Sequence, residues 1–210
     1  MNPRRSFLSR IGLSAAALGV SGVTLGAQDG AAPNPHWEPA RHPQDDWFDQ
    51  IPGKHRLFLD ALSESGASQA AQFADNYYTA NRNAYGLADR DLAVVVCLRH
   101  LATPFAFNDA VWKKYGPTLA DLAKYNGEKV DANPHKSRLD ELVKRGGRFA
   151  VCDMATHFFA RNVAVKAALD GDAVYKEMTA NTIGNCHFVA AGIVAVDRAQ
   201  ERGYSIAYVG

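Results

Sequence analysis

The sequence predicts one α/β domain, three layers thick, built on a mostly parallel sheet of about five strands. Three observations lead there. Short apolar runs alternate with helical periodicity from residue 54 to residue 209. The strongest run, Leu92-Ala93-Val94-Val95-Val96-Cys97-Leu98, is apolar on both faces, as a strand in a helix-covered parallel sheet must be. Hydrophobic residues make up 47% of the 210 and charged residues 21%, which supplies a core and excludes a disordered, collagenous or coiled-coil chain.

The elements follow in order. His55 to Asp60 is a first strand that ends in a carboxylate. Ser63 and Ser65 can cap the next helix, whose expected apolar stripe is Ala70, Phe73, Ala74, Tyr77, Ala80 and Ala84. Gly86 suits its end. Leu92 to Leu98 is the second strand, and Thr103-Pro104 breaks the run that follows it. A short helix is expected over 108–115, ended by Gly116-Pro117. Ser137 can cap a helix with Leu139, Leu142 and Val143 as its stripe, and Gly146-Gly147 stop it. Phe149 to Cys152 is the third strand. Helical periodicity runs from Thr156 to Met178 with a break near Gly171. A strand over 186–190, a helix over 191–202 and a strand over 204–209 complete the alternation.

The N-terminus is different in kind. Arg4 and Arg5 precede Ser6-Phe7-Leu8, then a small, apolar stretch runs from Ile11 to Gly26, and Leu25-Gly26-Ala27 gives small residues at a cleavage spacing. The paired Arg resembles the twin-arginine (Tat) export motif of bacteria, so residues 1–27 are expected to be a Tat signal peptide and the protein periplasmic. An uncleaved anchor fits less well: the apolar stretch falls short of the roughly 20 residues of a spanning helix, and no stable membrane span is expected after cleavage. Residues 28–50 carry Pro33, Pro35, Pro39 and Pro43 and are expected to form a Pro-rich arm. Its Trp37, Trp47 and Phe48 can pack onto the domain or onto a neighbouring subunit. The α/β domain itself is expected over 51–210.

Charge and cysteine content limit the function. Lys and Arg number 23 and Asp and Glu 22, and the first 27 residues hold three Arg and no acid. The exported chain therefore has 20 basic against 22 acidic residues, and a nucleic-acid partner is not expected. Three cysteines exclude a disulfide-stapled miniprotein and leave at least one thiol unpaired in a monomer. No phosphate-binding loop or nucleophile elbow is present.

In open parallel sheets, sites lie outside the carboxyl ends of the strands. That rule nominates Asp60, Arg99, His100, Cys152 and Asp153. Cys152 ends a strand and starts a helix, where exposed backbone N–H groups favour thiolate over thiol. Position alone leaves a reactive thiol and a small core residue both open. Asp153 opposes the helix effect if its carboxylate lies close. Arg99 and His100 could orient an anion, or be a solvated Arg and a hydrogen-bonded His. Cys97 is expected in the core, and Cys186 toward the opposite sheet edge from Cys152. Each cysteine has a histidine nearby, in Cys97-x-x-His100, Cys152-x-x-x-x-His157 and Cys186-His187. Thiolate and imidazole can bind zinc or copper. Without Cys-x-x-Cys or His-x-x-x-His spacing, neither a metal nor any other cofactor is assigned.

Leu142-Val143-Lys144-Arg145-Gly146-Gly147-Arg148-Phe149-Ala150-Val151-Cys152 resembles the helix–Gly–strand–Cys segment of the DsrE-like (DsrE/DsrF-like) sulfur-relay family. Gly192-Ile193-Val194-Ala195-Val196 through Gln200-Glu201-Arg202-Gly203-Tyr204 is similar to its terminal helix and strand. The resemblance covers most of residues 54–209. It implies that Cys152 accepts and donates sulfane sulfur as a persulfide, with Asp60, Arg99, His100, Asp153 and His157 as candidates for the surrounding pocket. It also implies a homo-oligomer, and a partner that is a sulfur donor or acceptor protein or a small sulfur anion. The export signal and the Pro-rich arm depart from the family. Two alternatives keep the fold and drop the chemistry: a periplasmic protein that binds a small anion or a metal, and a regulatory subunit.

Overall fold

In a computed structural model, which describes residues 38–210, the strands β1 (His55–Ala61), β2 (Leu92–Leu98), β3 (Arg148–Cys152), β4 (Cys186–Val189) and β5 (Ser205–Val209) form one sheet. The spatial order is β4-β3-β2-β1-β5, and every neighbouring pair is parallel. The expected signal, the first part of the arm and Trp37 lie outside the described residues. Among those residues no helix is long and apolar enough to cross a membrane.

The connecting helices are α2 (Glu64–Tyr85), α3 (Asp109–Ala123), α4 (Lys136–Lys144), α5 (Asp153–Ala167), α6 (Gly171–Ala180) and α7 (Gly192–Gln200). A four-residue helix, α1 (Trp47–Gln50), precedes β1. Side chains of a strand alternate between faces, and β2 divides its residues accordingly. Leu92, Val94, Val96 and Leu98 join the larger core with α2, α3 and α5. Ala93, Val95 and Cys97 join a smaller core with Phe48 of α1 and Ala195 and Ala199 of α7. The result is a three-layer α/β domain, thick on one face and thin on the other. Phe48 is fully buried, so the end of the expected arm supplies core rather than extension.

The strands begin and end within a residue of the sequence reading, and the helices differ at three points. On α2 the buried residues are Gly66, Ala67, Ala70, Ala71, Ala74 and Tyr78, whereas Phe73 is 44% exposed. Alanines let the helix lie close to the sheet, and Phe73 sits just off that stripe. Gly116-Pro117 does not end α3, which continues to Ala123 because Leu119, Ala120 and Ala123 reach the core. A Cβ on Gly116 would overlap the Val130 carbonyl oxygen, so the glycine is there for close approach rather than for a stop. Ser137 lies inside α4 and does not cap it. Asn133 organises that start instead: its Oδ1 accepts from the His135 N–H, and its Nδ2 donates to the carbonyls of Phe105 and Phe107.

Candidate functional site

The carboxyl ends of β1, β2 and β3 bring Asp60, Arg99, His100 and Cys152 to one end of the sheet. Asp60 and Arg99 form the most ordered contact there. Arg99 Nε donates to Asp60 Oδ1 at 2.6 Å and Nη2 donates to Oδ2 at 2.8 Å, a two-pronged pair. Asp60 is buried and Arg99 largely so. The hydrogen bonds to Asp60 raise the Arg99 pKa further. The pair joins the ends of adjacent strands, since Asp60 stands opposite Cys97 in the β1–β2 register.

Arg99, His100 and Cys152 line one cavity of about 580 Å³. Cys152 is the residue at which β3 becomes α5. Its Sγ accepts from the Ala155 N–H at 3.4 Å, in the manner of a helix N-cap. Thr156 Oγ1 donates to the Cys152 carbonyl at 2.9 Å and fixes the turn. The side chain is 7% exposed, against 0% for Cys97. His100 is exposed and has φ of 53°, in the left-handed region that non-glycine residues seldom occupy. That conformation turns the chain from β2 into the tight helical segment His100–Ala106.

Asp60 is not on the cavity wall and touches it only through Arg99, and two further nominated residues lie elsewhere. Asp153 is absent from the cavity wall. Its Oδ1 accepts from Tyr175 Oη on α6 at 2.7 Å. His157 Nε2 is 3.6 Å from its Oδ2, and the imidazole stacks on the Tyr175 ring at 3.9 Å between centroids. The hydrogen bond to Asp153 is the main reason the Tyr175 pKa is pushed up to about 12. Asp153 and His157 therefore tie α5 to α6. Tyr175, which completes this group, had no signal in the sequence beyond its helical spacing.

The other cysteines are separated from the cavity. Cys97 is enclosed between the sheet and α7, with Sγ 3.9 Å from the Gly192 carbonyl oxygen, and burial raises its pKa well above the usual thiol range. Cys186 lies toward the opposite edge of the sheet from Cys152, as its place at a strand start implies. β4 lies beside β3, and Cys186 opposes Phe149, at the other end of the strands from Cys152. Burial pushes its pKa up to about 12. All three thiols are free. His187 stacks on Trp47 at 4.5 Å, and burial lowers its pKa. The three Cys–His neighbours thus diverge, and among the described residues no group of three or more His, Cys, Asp or Glu could hold a metal ion.

Sequence reading missed the rest of the cavity wall. Leu101, Leu122, Phe158 and Ile193 supply apolar surface, and Lys124 supplies a cation. Lys124 sits in the left-handed turn that ends α3, a position dependent on α3 running past Pro117. Fold and site together define a three-layer α/β protein with a thiol at a helix start inside a partly apolar cavity. No family model and no curated protein matches the chain. Among solved structures it is similar to "Structure of Protein of Unknown Function MTH1491 from Methanobacterium thermoautotrophicum", with 14% identity over 74% of this chain and 99% of that one and a TM-score of 0.40.

Proposed function

We propose that this chain is an exported DsrE-like protein in which Cys152 accepts and carries sulfane sulfur. The observation that supports this reading is the placement of Cys152 Sγ at the start of α5, in contact with the Ala155 N–H and on the wall of the cavity. Helix-start N–H groups stabilise a thiolate, which is the form that attacks sulfur. The thiolate attacks the outer sulfur of a donor, a new S–S bond forms at Sγ, and the donor's remaining sulfur leaves with the electron pair of the broken S–S bond. An acceptor thiolate reverses the step. Export rests on the Arg4-Arg5 motif, and self-association and a sulfur-donor or sulfur-acceptor partner rest on the family resemblance.

A second reading is anion binding without chemistry, and the specific observation in its favour is the convergence of Arg99, His100 and Lys124 on the same cavity. Intact-mass spectrometry after treatment with polysulfide separates the two. Sulfur transfer adds mass in steps of about 32 Da that reductant removes. Cys152→Ser abolishes the added mass, and Cys97→Ser retains it. A Cys152 that gains no sulfur in the native protein and reacts only after unfolding leaves the anion-binding reading standing alone.

A further inference from the structure

We propose that the Cys152 cavity takes an amphipathic organic anion, and that its sulfur donor is a thiosulfonate with an aryl or other large apolar body rather than a donor with little or no apolar body, such as an inorganic sulfur anion. The inference rests on the sulfur-carrier reading for its chemistry and on the shape and lining of the cavity for its ligand class. The volume of about 580 Å³ falls within the range of pockets that hold whole organic molecules. An inorganic sulfur anion of a few atoms would leave most of it to water.

The lining is divided. Leu101, Leu122, Phe158, Phe159 and Ile193 form the apolar part. Phe158 is 50% exposed and Ile193 60%, so both present apolar surface that the fold does not bury. The polar part is Arg99, His100, Lys124 and Cys152, with no carboxylate among the described residues of the wall. Asp60 occupies Nε and Nη2 of Arg99, and Nη1 makes no hydrogen bond among the described residues. Lys124 has no carboxylate partner among the described residues. A ligand that satisfies both kinds of lining carries a negative head for Arg99 and Lys124 and an apolar body for Phe158 and Ile193.

A thiosulfonate, R–SO2–S⁻, has this form and carries a transferable sulfur next to its charged head. The Cys152 thiolate attacks the terminal sulfur. The Sγ–S bond forms as the bond between that sulfur and the sulfonyl sulfur breaks, and the sulfinate R–SO2⁻ leaves with the electron pair. Cys152 ends as a persulfide anion, total charge is unchanged, and no external oxidant or reductant is required.

The test has a binding arm and a transfer arm, both on the full chain. In the first, benzenesulfonate and methanesulfonate are titrated against the Cys152→Ser protein by NMR. Benzenesulfonate is expected to bind about tenfold tighter or more, because its ring buries apolar surface that the methyl group lacks. Phe158→Ala and Lys124→Gln should each weaken it several-fold, whereas Val165→Ala on the exposed side of α5 should not. Equal affinity for the two sulfonates overturns the ligand class. In the second arm, benzenethiosulfonate and methanethiosulfonate load sulfur onto the wild-type protein, and their rate ratio is divided by the same ratio for N-acetylcysteine. A corrected preference for the aryl donor supports the proposal, and a corrected ratio of one overturns it. Tight sulfonate binding with no sulfur on Cys152 from either donor keeps the ligand class and removes the sulfur-carrier reading beneath it.

Discussion

Gly192 lies directly against Arg99: a Cβ on Gly192 would stand 2.5 Å from both Cβ and Cδ of the arginine. The first residue of α7 therefore holds the Arg99 stem over the end of β2, where the guanidinium can fork onto Asp60. The same glycine supplies the carbonyl that faces the Cys97 thiol. One small residue thus fixes an ion pair, a buried thiol and one side of the cavity.

Gly192→Ala is expected to cost about 1–3 kcal/mol, the usual penalty for forcing extra volume into a packed site. Urea unfolding measures it. The displacement should also show at Arg99, as a changed Nε–H chemical shift, whereas a purely local helix effect would leave that signal in place. An unchanged midpoint and an unchanged Arg99 signal would mean that α7 can shift freely.

Asp60→Ala removes one partner of a buried, two-pronged pair and leaves the Arg99 charge stranded. The expected loss is about 3–5 kcal/mol, far above that of an exposed ion pair. By contrast, Lys166 and Asp121 meet at the surface, with Lys166 50% and Asp121 69% exposed. Lys166→Ala should change stability by no more than about 1 kcal/mol. Comparable losses from the two substitutions would show that the Asp60–Arg99 pair is not energetically distinct.

Stability should fall as pH drops from 7 to 5. Burial lowers the His135 pKa, although Glu64, with Oε1 3.0 Å from Nε2, pulls the other way. The folded state prefers neutral His135, so the unfolded chain takes up the proton first as pH falls through about 6.5. The stabilising contribution is complete above that pH and declines below it, down through the folded-state pKa. His187 is lowered by burial as well and adds to the same trend. Asp89 and Glu177 are lowered from already acidic values by their basic partners, so they act at lower pH. His135→Gln should flatten the slope of melting temperature against pH between 7 and 5 without abolishing it. A slope equal to that of the wild type would assign the effect to other groups.

Replacing Arg4 and Arg5 by Lys should leave the precursor in the cytoplasm, because the paired guanidinium groups are what the resemblance to Tat substrates puts before the export machinery. Fractionation and blotting measure the outcome. Undiminished mature protein in the periplasm of the double mutant would remove the Tat assignment.

The strands were legible because their signal is local. Leu92 to Leu98 is apolar at every position, and no tertiary information is needed to read it. The helix boundaries that differ depend on distant partners. Gly116 makes room for the Val130 carbonyl, fourteen residues on, and Asn133 reaches Phe105 and Phe107 on another segment. Most of the polar half of the cavity followed from the rule that sites lie at strand ends, which found Arg99, His100 and Cys152 together but not Lys124. Its apolar half did not, because Leu122 and Phe158 occur within helices and nothing local in the sequence marks them as cavity residues. Only the packing of α3, α5 and α7 reveals that Phe158 and Ile193 are left uncovered.

The three thiols provide the most direct check on the site. At pH 8, Cys152 should react with iodoacetamide at least about tenfold faster than Cys97 or Cys186, because only thiolate attacks and each unit of raised pKa removes about tenfold of it. Cys186 is more exposed than Cys152 by surface area, so accessibility alone would favour Cys186. Its thiol, however, is pushed up to about 12 by burial among apolar groups. Cys97 combines complete burial with a raised pKa. Cys152 has a backbone N–H at its sulfur and a cavity in front of it. Peptide mapping of the first modified residue decides among these forces. Labelling led by Cys186 would show that surface area outweighs ionisation here, and it would take away the reason for placing chemistry at Cys152.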